Sequence, residues 1–125
     1  MPRILIVDDD IDLLTIEKHY LVSRGFDVSV FSDWDSAAVS MRTVEPQLIL
    51  LDVFLSDVDG LEVCKRLKSS PYTRHIPVII HSAYPRVAET AIYEFGADDF
   101  IAKPFESIEL INKIHKVLCK RHESV

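Results

Sequence analysis

Short aliphatic runs alternate along the chain with longer stretches in which apolar residues recur at helical spacing. The runs cover residues 3–7, 28–31, 48–54, 77–81 and 100–102. Runs of this length that are apolar at nearly every position are typical of strands covered on both faces by other elements, as in a parallel sheet. The pattern therefore predicts five buried strands.

Five helices are predicted in the stretches that follow the runs, at about residues 13–25, 32–45, 60–69, 86–95 and 107–120. At the second helix, Ser32 and Asp35 have the spacing of a capping box, with Asp in place of Glu. Regular alternation of strand and helix with short connections favours a parallel sheet whose right-handed crossovers place helices on both faces. We therefore expect an α/β fold in one domain over residues 1–125.

Composition narrows the possible partners. The 125 residues carry a net charge of -6, so we expect no direct binding to nucleic acid or to an anionic membrane surface. No apolar run approaches the roughly 20 residues that cross a bilayer, and the two cysteines, Cys64 and Cys119, suggest no disulfide framework. A cytoplasmic protein is the simplest expectation, with any output activity in another domain or protein.

Polar residues that could carry chemistry stand at the ends of the predicted strands. Asp8 and Asp9 follow the first strand, Asp52 lies near the end of the third, Ser82 follows the fourth and Lys103 follows the fifth. The carboxyl ends of parallel strands meet at one edge of the sheet, which is where ligands bind in such folds. Three carboxylates gathered there would repel one another unless a hard divalent cation, most simply Mg²⁺, compensated them.

Four motifs in this order resemble the response-regulator receiver domains of bacterial two-component systems. The motifs are ILIVDDD, LILLDVFLSDVDG, VIIHSA and FIAKPF, and together they span nearly the whole chain. The resemblance implies a flavodoxin-like, doubly wound, five-stranded parallel sheet in the order 2-1-3-4-5 with five helices. It also implies a signalling switch that catalyses only its own phosphotransfer and dephosphorylation.

The resemblance assigns roles at the strand ends. Asp52 would accept a phosphoryl group from a histidine kinase or a phosphotransfer protein. Asp9 would bind Mg²⁺, or Mn²⁺ in its place, directly and Asp8 largely through water, while Asp52 and the backbone carbonyl of Phe54 would complete the ligands. The bond between Lys103 and Pro104 would be cis, directing the Lys103 ammonium toward the phosphoryl group.

The same resemblance implies a mechanism for the signal. Ser82 would swing toward the phosphoryl oxygen, and Phe100 would move inward into the space that Ser82 leaves. These movements would change the surface formed by helix four, strand five and helix five. A downstream protein or a fused output domain would read that surface.

Two departures from the family pattern lie in the loops around Asp52. Ser56 stands where a proline is common, which predicts a less rigid loop but intact chemistry. Phe54 and Tyr84 occupy the positions that flank the phosphoryl group in relatives, and both are aromatic here. Two bulky rings would obstruct the in-line approach of water, which predicts a comparatively long-lived phosphorylated state.

Three other functions compete with this interpretation. Asp8-x-Asp10 after a first strand is similar to the nucleophile motif of haloacid-dehalogenase-like phosphatases, which would carry the phosphate on Asp8. A flavodoxin-like flavin binder would share the topology, but it needs an uncharged, hydroxyl-rich phosphate loop where this chain has three aspartates. A receiver-like interaction module that works without phosphorylation is the third alternative.

Overall fold

Five strands alternate with five helices in a computed structural model, which describes the backbone of residues 1–123 and the side chains of residues 1–120. The elements are β1 (Arg3–Val7), α1 (Ile11–Ser23), β2 (Asp27–Phe31), α2 (Trp34–Val44), β3 (Leu48–Asp52), α3 (Gly60–Ser69), β4 (Val78–Ser82), α4 (Val87–Tyr93), β5 (Asp99–Ala102) and α5 (Ser107–Glu123). The predicted alternation is confirmed.

The strands form one parallel sheet in the order β2-β1-β3-β4-β5, as expected. In this register Val7 at the end of β1 is aligned with Leu51, and Asp52 is aligned with His81. Ser82 is in turn aligned with Ala102, the last residue of β5. The last residues of β1, β3, β4 and β5 therefore meet at one edge of the sheet.

Apolar side chains from the central strands alternate between the two faces of the sheet, because successive residues of a strand point to opposite sides. One face packs on α2, α3 and α4, and its buried residues include Val7, Leu51 and Ile80. The other face packs on α1 and α5 through residues such as Ile6 and Leu50. Burial on both faces explains why these strands are continuous apolar runs.

The start of α2 differs from the prediction. Asp33, not Ser32, is the N-cap residue, and its carboxylate accepts a hydrogen bond of 2.8 Å from the amide of Ser36. The carboxylate of Asp57, from the loop after β3, also accepts hydrogen bonds from the amides at the first turn, including that of Trp34 at 3.2 Å. A carboxylate is favoured at a helix N-terminus because it satisfies free amides and carries a favourable charge there.

Strand β3 is shorter than predicted, since it ends at Asp52 and not at Phe54. The amide of Gly60 donates to the carbonyl of Val53 at 2.7 Å, and Phe54 forms an isolated antiparallel bridge with Asp59. The amide of Val53 still donates to the carbonyl of His81 at 3.3 Å, so the chain leaves the sheet after Val53. Among the described residues no helix combines the length and the apolar character needed to span a membrane.

Candidate functional site

Three carboxylates lie together at the carboxyl edge of the sheet. Asp8 and Asp9 follow β1, Asp52 ends β3, and carboxylate oxygens from all three residues lie within 4.8 Å of one another. We call these three residues the acidic pocket. Asp8 and Asp52 are buried, with 0% and 5% of their surface exposed, whereas Asp9 lies on the open side of the pocket. The sequence prediction that these groups converge is confirmed.

Lys103 brings a positive charge into the acidic pocket from the loop after β5. Its ammonium lies 2.7 Å from a carboxylate oxygen of Asp8 and 3.5 Å from one of Asp52. Burial opposes the charged form of this lysine, but the hydrogen bond to Asp8 and the charge of Asp52 outweigh burial and raise the pKa of Lys103. The following peptide bond, to Pro104, is cis, as expected.

Asp8 and Asp52 differ in how their oxygens are engaged. One oxygen of Asp8 accepts a hydrogen bond of 2.9 Å from the amide of Asp10, and the other accepts from Lys103. Asp52 has only the longer ion pair with Lys103 among the side-chain contacts of the described residues. Burial, followed by the charge of Asp8, raises the pKa of Asp52 to about 6. The oxygens of Asp52 therefore have fewer hydrogen-bond partners than those of Asp8 and are freer to react.

Ser82 and Phe100 are both buried, and they lie in the neighbouring strands β4 and β5. The hydroxyl of Ser82 accepts a hydrogen bond of 3.1 Å from the amide of Tyr84, and its carbonyl accepts one of 2.8 Å from the amide of Lys103. Phe100 is 8% exposed and belongs to the core cluster that includes Ala91 of α4. In this conformation Phe100 already occupies an inward position.

The rings of Phe54 and Tyr84 meet at the surface near the site. Their centroids are 5.3 Å apart at an interplanar angle of 72°, an edge-to-face arrangement. Both rings are more than half exposed, at 57% and 59%. The two residues predicted to flank the phosphoryl group therefore contact each other across the loops after β3 and β4.

Gly60 at the start of α3 allows this helix to approach the end of β3. A methyl group added to Gly60 would overlap the backbone carbonyl oxygen of Asp52 and would lie 2.8 Å from Cα of Val53. The obstruction is backbone, which cannot move aside without displacing Asp52 itself. Glycine is therefore required at this position to place Asp52 beside the other acids.

Gly60→Ala is expected to lower the free energy of unfolding by about 3 kcal/mol, because the added methyl group forces the α3 backbone away from β3. Chemical denaturation followed by circular dichroism measures the loss. The control is Gly25→Ala, where the added carbon would have open space and only a positive φ of 92° opposes the substitution. An equal or smaller loss at Gly60 than at Gly25 would contradict the steric explanation.

Glu17 and His81 are site residues that the sequence prediction missed. Glu17 lies on the buried face of α1 with 4% of its surface exposed, and His81 in β4 is fully buried. Both lie near Asp8, and the distance from Nδ1 of His81 to an oxygen of Asp8 is 3.7 Å. Glu17 occurs three residues after Leu14 and four before Leu21, which are both buried, so its place on the apolar face was readable from the helical spacing.

Burial shifts the pKa of both side chains. Desolvation, and then the charge of Asp8, raises the pKa of Glu17 to about 8. Desolvation, and then the nearby charge of Lys103, lowers the pKa of His81 to about 4. Near neutral pH, Glu17 is thus held largely as the neutral acid and His81 as the neutral imidazole.

The donor set of the acidic pocket suits Mg²⁺. Three carboxylates offer hard oxygen donors, the type that this ion prefers, and Lys103 offsets only one of their negative charges. Asp9 on the open side provides access from solvent. The pocket therefore has the chemistry of a magnesium site, whereas a role for the carbonyl of Phe54 stays a prediction.

Comparisons with known proteins agree with this geometry. Residues 4–115 match the family model described as the response regulator receiver domain. The chain is 32% identical over 119 residues to the phosphate regulon transcriptional regulatory protein PhoB of Rhizobium meliloti, covering 94% of this chain and 52% of that protein. It is 35% identical over 122 residues to the alkaline phosphatase synthesis transcriptional regulatory protein PhoP of Bacillus subtilis, covering 97% and 50%.

Solved structures show the same relationship. The receiver domain of NtrX from Brucella abortus matches with a TM-score of 0.83 at 32% identity, covering 92% of this chain and 97% of that one. A response regulator receiver domain protein from Methanospirillum hungatei matches with a TM-score of 0.90 at 25% identity, covering 100% and 99%. The chain spans about half the length of the two curated relatives. It belongs to the response regulator receiver domain family.

Proposed function

We propose that the chain is a phosphorylation-controlled signalling switch and that Asp52 accepts the phosphoryl group. The observation that carries the proposal is the position of Asp52, a buried carboxylate whose oxygens lie beside two further acids and 3.5 Å from the Lys103 ammonium. Phosphoryl transfer depends mainly on positioning and on charges that offset those of the phosphoryl oxygens. The fold holds Asp52 in a fixed position, and Lys103 supplies one positive charge, to which a cation bound by the carboxylates would add.

In the proposed reaction an oxygen of Asp52 attacks the phosphorus of a phosphohistidine on a histidine kinase or a phosphotransfer protein. The P–N bond breaks, its electron pair stays on the imidazole nitrogen, and that nitrogen then takes up a proton. Mg²⁺ bound in the acidic pocket would supply positive charge opposite the phosphoryl oxygens. Lys103 adds its own charge, and Asp8 holds Lys103 in place through its 2.7 Å contact. The chain would catalyse only its own phosphotransfer and dephosphorylation.

The signal would pass through Ser82 and Phe100. We propose that the Ser82 hydroxyl exchanges its hydrogen bond with the Tyr84 amide for one with the phosphoryl group. Phosphorylation would then favour the inward position of Phe100 that this structure displays, at the expense of conformers in which the ring points outward. The surface of α4, β5 and α5 would change with that equilibrium.

The output is proposed to lie outside this domain. The two curated relatives are named as transcriptional regulatory proteins, and the chain matches only about half of each. The net charge of -6 offers no excess of basic residues to bind nucleic acid. A downstream protein or a fused domain would therefore act on the target, in the cytoplasm, where a histidine kinase would present its phosphohistidine.

Mass spectrometry of the intact wild-type protein tests the proposal. Incubation with acetyl phosphate and Mg²⁺ should add one phosphoryl group, and chelation of the metal should prevent the addition. Borohydride reduction converts a phosphorylated aspartate to homoserine, so peptide mapping should place the change at position 52. Modification at Asp8 would instead support the phosphatase-like alternative, and no modification would support the interaction module that works without phosphorylation.

Removing the bulk of Phe54 or Tyr84 should shorten the phosphorylated state. Phe54→Asn and Tyr84→Glu each open one side of the edge-to-face pair, so water reaches the phosphorus more readily. We expect dephosphorylation to accelerate about fivefold, which corresponds to about 1 kcal/mol of barrier. The decay of phosphorylated protein after removal of the donor measures the rate.

The matched control for this prediction is Tyr93→Glu, which changes an aromatic residue on α4 that is 83% exposed. Its rate should equal that of the wild type. If neither Phe54→Asn nor Tyr84→Glu accelerates the decay, the rings do not limit the access of water.

A further inference from the structure

A second group of potential ligands lies on the inner side of the acidic pocket. It consists of Asp8, Glu17 and His81, each of which offers one ligand atom within 4.8 Å of the others. All three side chains are buried, and they come from the end of β1, from α1 and from β4. We infer that these three residues form a binding site for a divalent transition-metal ion, distinct from the proposed magnesium site on Asp8, Asp9 and Asp52.

Unpartnered polar atoms point to a ligand at this position. Both carboxylate oxygens of Glu17 and both ring nitrogens of His81 are inaccessible to solvent, and the Glu17 oxygens have no hydrogen-bond partner among the described residues. His81 has only the backbone carbonyl of Val7 as a neighbouring acceptor, which leaves one of its two ring nitrogens without a partner. Buried polar atoms are almost always paired, since leaving them unpaired costs free energy. An ion held between Glu17 and His81 would satisfy one atom of each residue.

The donor chemistry selects the kind of ion. An imidazole nitrogen with two carboxylate oxygens suits Zn²⁺, Mn²⁺ or Co²⁺, whereas Mg²⁺ prefers oxygen donors and retains its water. The 3.7 Å between Nδ1 of His81 and Oδ2 of Asp8 is close to the spacing of neighbouring ligands around such an ion. The ion would displace the proton of Glu17 on binding, so that two carboxylates and a neutral imidazole would surround it, although Lys103 already offsets part of the charge of Asp8.

Asp8 would belong to both sites. It faces Asp9 and Asp52 on the open side of the pocket and Glu17 and His81 on the buried side. A carboxylate has about four lone-pair sites, so Asp8 has one for a cation in each site while its oxygens still accept hydrogen bonds from Asp10 and Lys103. The inference does not require phosphoryl transfer to Asp52, so it stands or falls separately from the proposed function.

Titration of metal-free protein with Co²⁺ in the presence of excess Mg²⁺ tests the site. The wild type should bind one Co²⁺ per chain and show the visible absorption of cobalt with a nitrogen ligand. In protein labelled with ¹⁵N-histidine, the His81 resonance should show a large paramagnetic shift. Glu17→Gln and His81→Leu should each weaken binding at least ~10-fold, because even the loss of a residue that only supports a metal ligand costs that much.

Two controls separate this site from the magnesium site and from surface histidines. Asp9→Asn removes a ligand of the acidic pocket but keeps Asp8, Glu17 and His81, so the cobalt spectrum should persist. His75→Leu, at an exposed histidine, should leave binding unchanged. The inference is overturned if the wild type binds no Co²⁺ above excess Mg²⁺, if the His81 resonance does not shift, or if Asp9→Asn abolishes the spectrum while His81→Leu retains it.

Discussion

Asp52→Asn is expected to abolish phosphorylation, with a loss of roughly a thousandfold or more in the rate of phosphoryl incorporation. Asparagine keeps the shape of the side chain, but its amide lacks the anionic oxygen that attacks phosphorus. The rest of the pocket stays in place, since Asp8 and Lys103 retain their 2.7 Å contact. Intact mass after incubation with acetyl phosphate and Mg²⁺ measures the loss.

Asp12→Asn is the matched control, because Asp12 is an exposed acid in the first turn of α1, four residues beyond Asp8. This variant should incorporate phosphate at about the wild-type rate. If Asp52→Asn still gains one phosphoryl group, the acceptor is a different residue. Asp8 would then be the candidate to examine, although both of its oxygens already accept hydrogen bonds, from Asp10 and Lys103.

Much of this architecture could be predicted from the apolar pattern, because a strand buried on both faces is a continuous run of apolar residues in the sequence. The run from Leu48 to Leu51 is apolar throughout, and the charge of Asp52 then marks the edge of the sheet. Residues that end neighbouring strands must converge in a parallel sheet, so the positions of Asp8, Asp9 and Lys103 followed from the strand assignment.

Features that depend on contacts between loops or faces were harder to predict. Asp33 caps α2 with the help of Asp57, which is 24 positions further along the chain, and local spacing favoured Ser32 instead. Residues Glu17 and His81 lie in different elements, so only the packing of α1 on the sheet reveals that both are near Asp8. Secondary-structure patterns locate a residue within an element but do not specify its tertiary neighbours.

Burial of Glu17 is expected to make the stability of the metal-free protein depend strongly on pH. The pKa of Glu17 is raised from 4.5 to about 8 in the folded state, so the folded chain keeps a proton that the unfolded chain has released. The contribution of Glu17 to the free energy of unfolding is therefore constant below about pH 4.5 and becomes increasingly unfavourable as the pH rises to about 8. At about 1.4 kcal/mol per pKa unit, the cost approaches an upper limit of about 5 kcal/mol.

Glu17→Gln should remove this cost, because the amide has nearly the same shape and cannot ionise. In the presence of a chelator, the variant should match the wild type near pH 4.5 and exceed it by several kcal/mol at pH 8. Urea denaturation at a series of pH values measures the difference. Ionisation of His81 and Asp52 also changes stability between pH 4 and 7, but both residues remain in wild type and variant, so their contributions largely cancel.

Glu94→Gln serves as the control, since Glu94 is an exposed glutamate at the end of α4. Its effect on stability should be small and nearly constant between pH 5 and 8. A constant difference between Glu17→Gln and wild type over the same range would show that Glu17 ionises normally in the folded chain. Burial without a partner predicts instead that the difference grows with pH, because a carboxylate deprived of water and placed beside Asp8 retains its proton.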